Sequence, residues 1–343
     1  MNSVILKSLC AAFIMLSAFG PAAFAYDFKV GSIYYGLSND RKSAYVTYAN
    51  LGQGDYSGYV RVPYEVNWQM QSIPVKKIGD FAFINSQRVD SVHIAEGVTS
   101  IGQQAFSHCY FMQSVSLPST VRSLLDYAFE YCEDMTSFRI PASLSQINEG
   151  VFYDCKSLRG FTIDESNTFF MVADDALYTA DMKEFVQYPC GKPSSSFTVA
   201  DGTTTLRPYS FSCCRLEWAV LPESLTAVGD YAFIEATALR HIVCLADTPP
   251  ACSEEVFEPT VASTATLYVK PEAVQAYRDA TGWGSFAKIV AFDADGVEGI
   301  GADERTDEAV YSISGMKVAN SKENIENLPA GIYFTEGKPF IKK

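Results

Sequence analysis

The sequence predicts a β-rich α/β solenoid: a right-handed coil of stacked 23-residue turns with an antiparallel β cap at its N-terminal end and a small β tail at its C-terminal end. Three observations carry that prediction. The phrase "IGDFAFINSQRVDSVHI" beginning at Ile78 returns as "IGQQAFSHCYFMQSVSL" and "LLDYAFEYCEDMTSFRI". Its first residues, Ile78, Ile101, Leu124 and Ile147, stand 23 positions apart each time. The chain of 343 residues is 48% hydrophobic and 19% charged, enough to bury a large core.

Taken in order, residues 1–25 are expected to be a signal peptide: Lys7, an apolar run from Leu9 to Phe19, and small residues at Ala23 and Ala25 before Tyr26. The run is too short to span a membrane, and the residues before Cys10 do not make a lipobox. Residues 26–75 alternate apolar and polar in "VGSIYYGL", "SAYVTYA" and "YSGYVRVP" between Gly and Asn turns, which predicts an antiparallel cap over the first coil. Residues 76–163 hold repeats one to four. In them Phe83, Phe106, Phe129 and Phe152 follow the first residue by five, and inward pairs such as Val92/Ile94 and Phe138/Ile140 sit two apart, as a strand with one buried face requires. Residues 164–203 depart from the phrase and predict a hairpin insertion. Residues 204–250 hold repeats five and six, "LRPYSFSCCRLEWAVLP" and "VGDYAFIEATALRHIVC".

Residues 251–292 predict a closing cap: a strand, then a short helix with Pro271 in its first turn and Gly282 past its end. Residues 293–308, "DADGVEGIGADERTDE", are acidic and poor in apolar residues, an expected linker; Asp293, Asp295 and Glu298 lack the full calcium-loop series. Residues 309–343 alternate again. Coils of one short strand each, stacked about 4.8 Å apart, place equivalent residues over one another, so the six Phe of the repeats, ending in Phe211 and Phe233, are expected to form one continuous spine.

The period falls in the range of leucine-rich repeats. The pattern I-G-x-x-A-F-x-x-C-x-x-L-x-x-V-x-L-P resembles the BspA-like, or type 5, leucine-rich repeat family, closely over residues 78–163 and 204–245. The resemblance implies an exported surface protein of Gram-negative anaerobes and a role in adhesion or host contact. It also implies a structural role for the 164–203 insertion, and the tail is similar to small C-terminal sorting domains. Arg207 and Pro208 replace the Gly region of the fifth copy, and Ala236 replaces Cys in the sixth.

Eight cysteines follow the leader. Cys109, Cys132 and Cys155 each stand three after the Phe and are expected to pack as buried apolar thiols; Cys213 or Cys214 continues the column. Cys244 and Cys252, flanking "DTPPA", are the better disulfide candidates.

Removing Lys7 leaves 25 Lys+Arg against 40 Asp+Glu, a net of −15. That acidity argues against nucleic acid as a partner. The outward strand positions are the expected binding face, because solenoids bind along extended surfaces. One row holds His93, Ser116, Arg139 and Thr162; the next ends in Trp218 and His241. Arg139 and Trp218 are hot-spot residue types. No catalytic pairing, cofactor motif or metal-ligand spacing is visible: His93 and His241 lie coils apart, and "GQGDYSG" has no strand-then-helix context. Asp174 and Asp175 adjoin on a turn, unlike the opposed carboxylates of a glycosidase. The expectation is an exported, monomeric, non-enzymatic protein without a transmembrane segment, in the medium or on the outer face of the envelope. Its partner is an extracellular protein or glycan. A structural envelope protein is the alternative, and a hydrolase ranks behind both.

Overall fold

The computed structural model describes residues 25–291 and four tail strands, Val310–Ser312, Lys317–Ala319, Gly331–Thr335 and Lys338–Lys342. Residues 1–24 of the expected leader and the expected acidic linker at 293–308 lie outside the described residues. The chain winds as a β-solenoid with three edges per coil. The first wall is built from two-residue parallel strands with Ile78, Ile101, Leu124 and Ile147 directly paired. The second is built from the V-x-L strands, where Val92 pairs with Val115 and Phe138 with Phe161. Residues one period apart therefore stand on each other.

The third edge is a turn, and its backbone is unusual. In each regular coil two residues adopt left-handed φ: Phe81 and Asn85, Gln104 and His108, Tyr127 and Tyr131, Gly150 and Asp154, Tyr209 and Cys213, Tyr231 and Glu235. A left-handed non-glycine residue costs about 1–2 kcal/mol. The conformation turns alternate N–H groups toward the next coil. Phe81, Phe83 and Asn85 donate to the carbonyls of Gln103, Ala105 and Ser107 at 2.7–2.9 Å, and Tyr127, Phe129 and Tyr131 to those of Glu149, Val151 and Tyr153 at 2.9–3.0 Å.

Inside this frame the Phe rings stack: Phe83 on Phe106 at 4.7 Å and Phe106 on Phe129 at 5.1 Å between centroids. Tyr56 extends the column before Phe83 at 4.3 Å. Phe106 and Phe129 belong to one buried cluster. The continuous spine of six, however, is corrected. The column breaks after Phe152, and a second cluster holds Phe211, Phe233 and Phe257.

The break has a local cause in residues 164–203. Phe170–Ala173, Ala176–Thr179 and Glu184–Gln187 make an antiparallel meander, but Glu184–Gln187 also pairs in parallel with Thr205–Leu206, and Ser196–Thr198 with Trp218–Leu221. The second half of the segment is thus a coil of the array. Phe185, in register with Leu206, stands five positions before Cys190; Leu206 stands eight before Cys214. Three residues are missing, and with them the left-handed turn.

The ends also extend the stack. Phe28–Val30, Ile33–Leu37 and Ala44–Thr47 pair antiparallel, but Ser57–Val62, expected in the same cap, runs parallel to Arg88–Ile94 and is a first coil strand. At the other end Thr266–Val269 and Lys288–Ala291 continue the parallel sheet. The expected helix is Val274–Asp279, entered through a 3-10 turn at Pro271–Ala273, and a further helix spans Pro259–Thr264. Trp283, fully buried, plugs the end and donates its indole N–H to the Pro250 carbonyl at 2.8 Å. The tail strands form an antiparallel sheet of their own.

The disulfide candidates are corrected too. Both are free thiols: Tyr277 Oη donates to buried Cys244 Sγ at 3.1 Å, and Cys252 Sγ donates to the Thr281 carbonyl at 3.2 Å. Cys109, Cys132 and Cys155 form the expected buried column, each donating to the Phe carbonyl of the preceding coil at 3.2–3.3 Å. Cys214 sits in the core, whereas Cys213 occupies a left-handed turn position.

Phe129→Ala removes a ring held between Phe106 and Phe152 and is expected to destabilise the chain by about 3–5 kcal/mol through the cavity it leaves. Denaturant unfolding of the two proteins measures the difference.

Candidate binding face and edge cleft

The V-x-L wall positions each expected face residue by alternation: inward residues fill the core, and the residue between them points out. His93 and Ser116 are paired neighbours, as are Arg139 and Thr162, and Trp218 and His241. The six do not lie on one sheet. The wall is divided into sheets carrying the first, second and third pair. The division before the third pair lies where the Asp174–Asp175 turn meets Gly160: the Phe161 N–H donates to the Asp175 carbonyl at 3.1 Å, and Lys192 Nζ contacts Asp174 and Asp175 at 2.5 and 3.2 Å.

The two ends of the wall differ in chemistry. Toward the N-terminal end it is polar and exposed. Arg139 there is engaged with Asp164 at 2.9 Å, an exposed ion pair of little energetic weight. Toward the C-terminal end it is aromatic. Trp218 lies on His241 with centroids 3.6 Å apart and planes 17° from parallel, and Tyr268 joins them, 5.9 Å from Trp218. Tyr268 Oη and His241 Nδ1 are 3.3 Å apart. Val220 and Val243 are buried in the same outward cluster. Tyr268 has no place in the expected face, although "TLYV" carries the signal: Leu267 and Val269 are inward, so the residue between them points out.

Burial lowers the pKa of His241 from 6.5 to about 4, and the nearby Lys288 and Arg240 push in the same direction. The ring is therefore neutral near pH 7 and stacks without a charge to desolvate.

A second concavity lies at the turn edge. Because the coil beginning at Phe185 has only a shortened turn without the left-handed pair, the turns at 149–155 and 208–214 face each other across a partly vacant level. The cleft between them measures about 660 Å3 and is lined by Tyr127, Gly150, Val186, Gln187, Arg207 and others. Arg207 crosses it, binding Glu184 Oε2 at 2.5 Å and the Ile147 carbonyl at 3.1 Å. The N–H groups of Gly150, Phe152 and Asp154, whose counterparts in other coils donate to the next coil, have no partner among the described residues. Tyrosines close over the gap: Tyr127 Oη meets Tyr209 Oη at 2.9 Å, and Tyr153 packs on Tyr209 at 5.4 Å.

The family model described as "BspA type Leucine rich repeat region" matches six copies over residues 65–178 and 189–268, more than half of the chain. The chain belongs to the BspA-type leucine-rich repeat family. Solved structures similar to this BspA-type chain include a leucine rich cell surface protein from Faecalibacterium prausnitzii, at 18% identity over 80% of this chain and 96% of that one, TM-score 0.45. A leucine-rich repeat protein from Eubacterium ventriosum matches at 18% identity over 77% and 85%, TM-score 0.45. The pneumococcal vaccine antigen PcpA matches at 13% over 77% and 98%, TM-score 0.41. No match is found among curated proteins. Among the described residues of this BspA-type protein, no helix is long and apolar enough to cross a membrane.

His241 has a depressed folded-state pKa, so between pH 6.5 and about 4 the unfolded chain binds the extra proton. Its stabilising contribution is complete above pH 6.5 and is lost as pH falls through that window. Unfolding measured from pH 7.5 to 4 is expected to show a decline that is shallower in His241→Gln.

Proposed function

We propose that the chain is an exported, non-enzymatic interaction module that binds an extracellular protein or glycan at the cell surface through the outward face of its V-x-L wall. The observation that carries this reading is the Trp218, His241 and Tyr268 stack, held on paired parallel strands. Rings already fixed against each other lose little conformational freedom when a partner covers them, and Trp and Tyr are the residues on which binding energy concentrates. The polar row of His93, Ser116, Arg139 and Thr162 supplies the less apolar part of the footprint. Family membership and the leader-like residues 1–25 support export. Burial raises the pKa values of the core thiols and lowers that of His241, so these groups are poor candidates for an activated nucleophile or a histidine acid.

Glycan and matrix-protein arrays probed with the purified chain test this. A ligand above background is expected, with affinity falling about 30-fold in Trp218→Ala, the loss that truncating a hot-spot residue causes. A blank array, or a ligand bound equally by Trp218→Ala, overturns the proposal. Concentration-dependent self-association in the ultracentrifuge, with a blank array, favours a structural envelope role.

A further inference from the structure

Asp154, Cys213 and Glu235 each occupy the second left-handed position of their turns. Cys213 and Glu235 are neighbours because their coils are adjacent: the Cys213 N–H donates to the Ile234 carbonyl at 2.9 Å. Asp154 joins them only because the level between has a shortened turn. One carboxylate oxygen from each acid and Cys213 Sγ lie within 4.8 Å of one another, with Sγ 3.4 Å from Glu235 Oε2.

Both carboxylates are held by one oxygen and offer the other. Lys156 Nζ binds Asp154 Oδ2 at 3.0 Å, and Tyr153 Oη donates to Glu235 Oε1 at 3.1 Å. Asp154 is only 2% exposed, yet its Oδ1 meets no N–H or O–H donor, and only the Cys213 thiol approaches the carboxylate from that side. A buried carboxylate oxygen without a donor is costly and uncommon. With Oδ2 turned to Lys156, the unmatched oxygen is the one left for the thiol and Glu235.

We propose that Asp154, Cys213 and Glu235 form a zinc site that ties together the coils on either side of the shortened turn. A thiolate favours zinc over magnesium or calcium, and zinc bonds of about 2.3 Å to sulfur and 2.0–2.2 Å to oxygen put neighbouring ligand atoms roughly 3.3–3.6 Å apart. The cluster reaches that spacing by small side-chain movements. Solvent completes the tetrahedron, and the thiol proton leaves to water as the metal binds. Tyr153 and Lys156 act as positioning residues, each orienting a ligand through its other oxygen. The site is independent of the aromatic face, which lies on the V-x-L wall.

The full chain, stripped of metal and given zinc alone, is expected to keep one zinc per chain through dialysis and to melt at a higher temperature with it. Cobalt in place of zinc is expected to give a thiolate charge-transfer band, present in Cys252→Ser and absent in Cys213→Ser. Tyr153→Phe is expected to weaken zinc by about 10- to 100-fold. Wild-type protein that retains no zinc and shows no cobalt–thiolate band overturns the site whatever the variants do. So does a band that survives in a folded Cys213→Ser protein.

Discussion

Hydrogen bonds donated from one turn to the next are the constraint on which the rest of this solenoid depends. Two residues per turn are held at positive φ, and eleven of the twelve in the regular turns are not glycine. Each non-glycine residue among them carries a conformational penalty of about 1–2 kcal/mol. The compensation is collective: in the turns at 81, 104, 127 and 209 three N–H groups each find carbonyls on the neighbouring coil, which they reach only when that coil is stacked in register. A single repeat is strained, whereas an array is not, which is the turn-edge counterpart of a Phe column that no single coil can shelter from water.

One coil with a shortened turn has wide consequences. Phe211 finds no turn Phe beneath it and stacks instead on Phe185 and Tyr188, so the core separates into two clusters. The turn ladder stops at 150–154, leaving a cleft that Arg207 crosses and that Tyr127, one of a cluster of five tyrosines, lines. Those tyrosines include Tyr127 and Tyr209, both at the first left-handed position. The strained backbone thus aims bulky side chains off the turn edge, where a partly vacant level gives them room to meet. The chain stays continuous across the gap because both walls persist through the short coil, at Glu184–Gln187 and Ser196–Thr198.

Much of this was legible in the sequence, and the parts that were not have physical reasons. The 23-residue period fixed the wall registers, the Phe stacking within the first four coils and the Cys column, because identical spacing leaves only one way to superimpose apolar residues. The left-handed turns were not legible: positive φ is expected of Gly and Asn, and here the residues are chiefly Tyr, Phe, Gln and acids. The short coil was hidden because "FVQYPCG" keeps only the first residue and the Cys of the phrase. Cys213 and Asp154, 59 positions apart, carry no ligand spacing that a linear reading detects.

The divided wall explains why one expected face resolves into unlike ends. In the first coils the outward neighbours are chiefly polar, Ser91 with Ser114 and Thr162 with Arg139, and no cluster of buried apolar side chains covers them. Past the hairpin the outward ladder becomes Val220, Val243 and Tyr268, which pack against one another and against Trp218. A neutral His241 is needed in that stack, since an imidazolium would have to be desolvated beside Lys288 and Arg240. The aromatic end is therefore preorganised by its own sheet, while the polar end leaves its outward side chains largely in water.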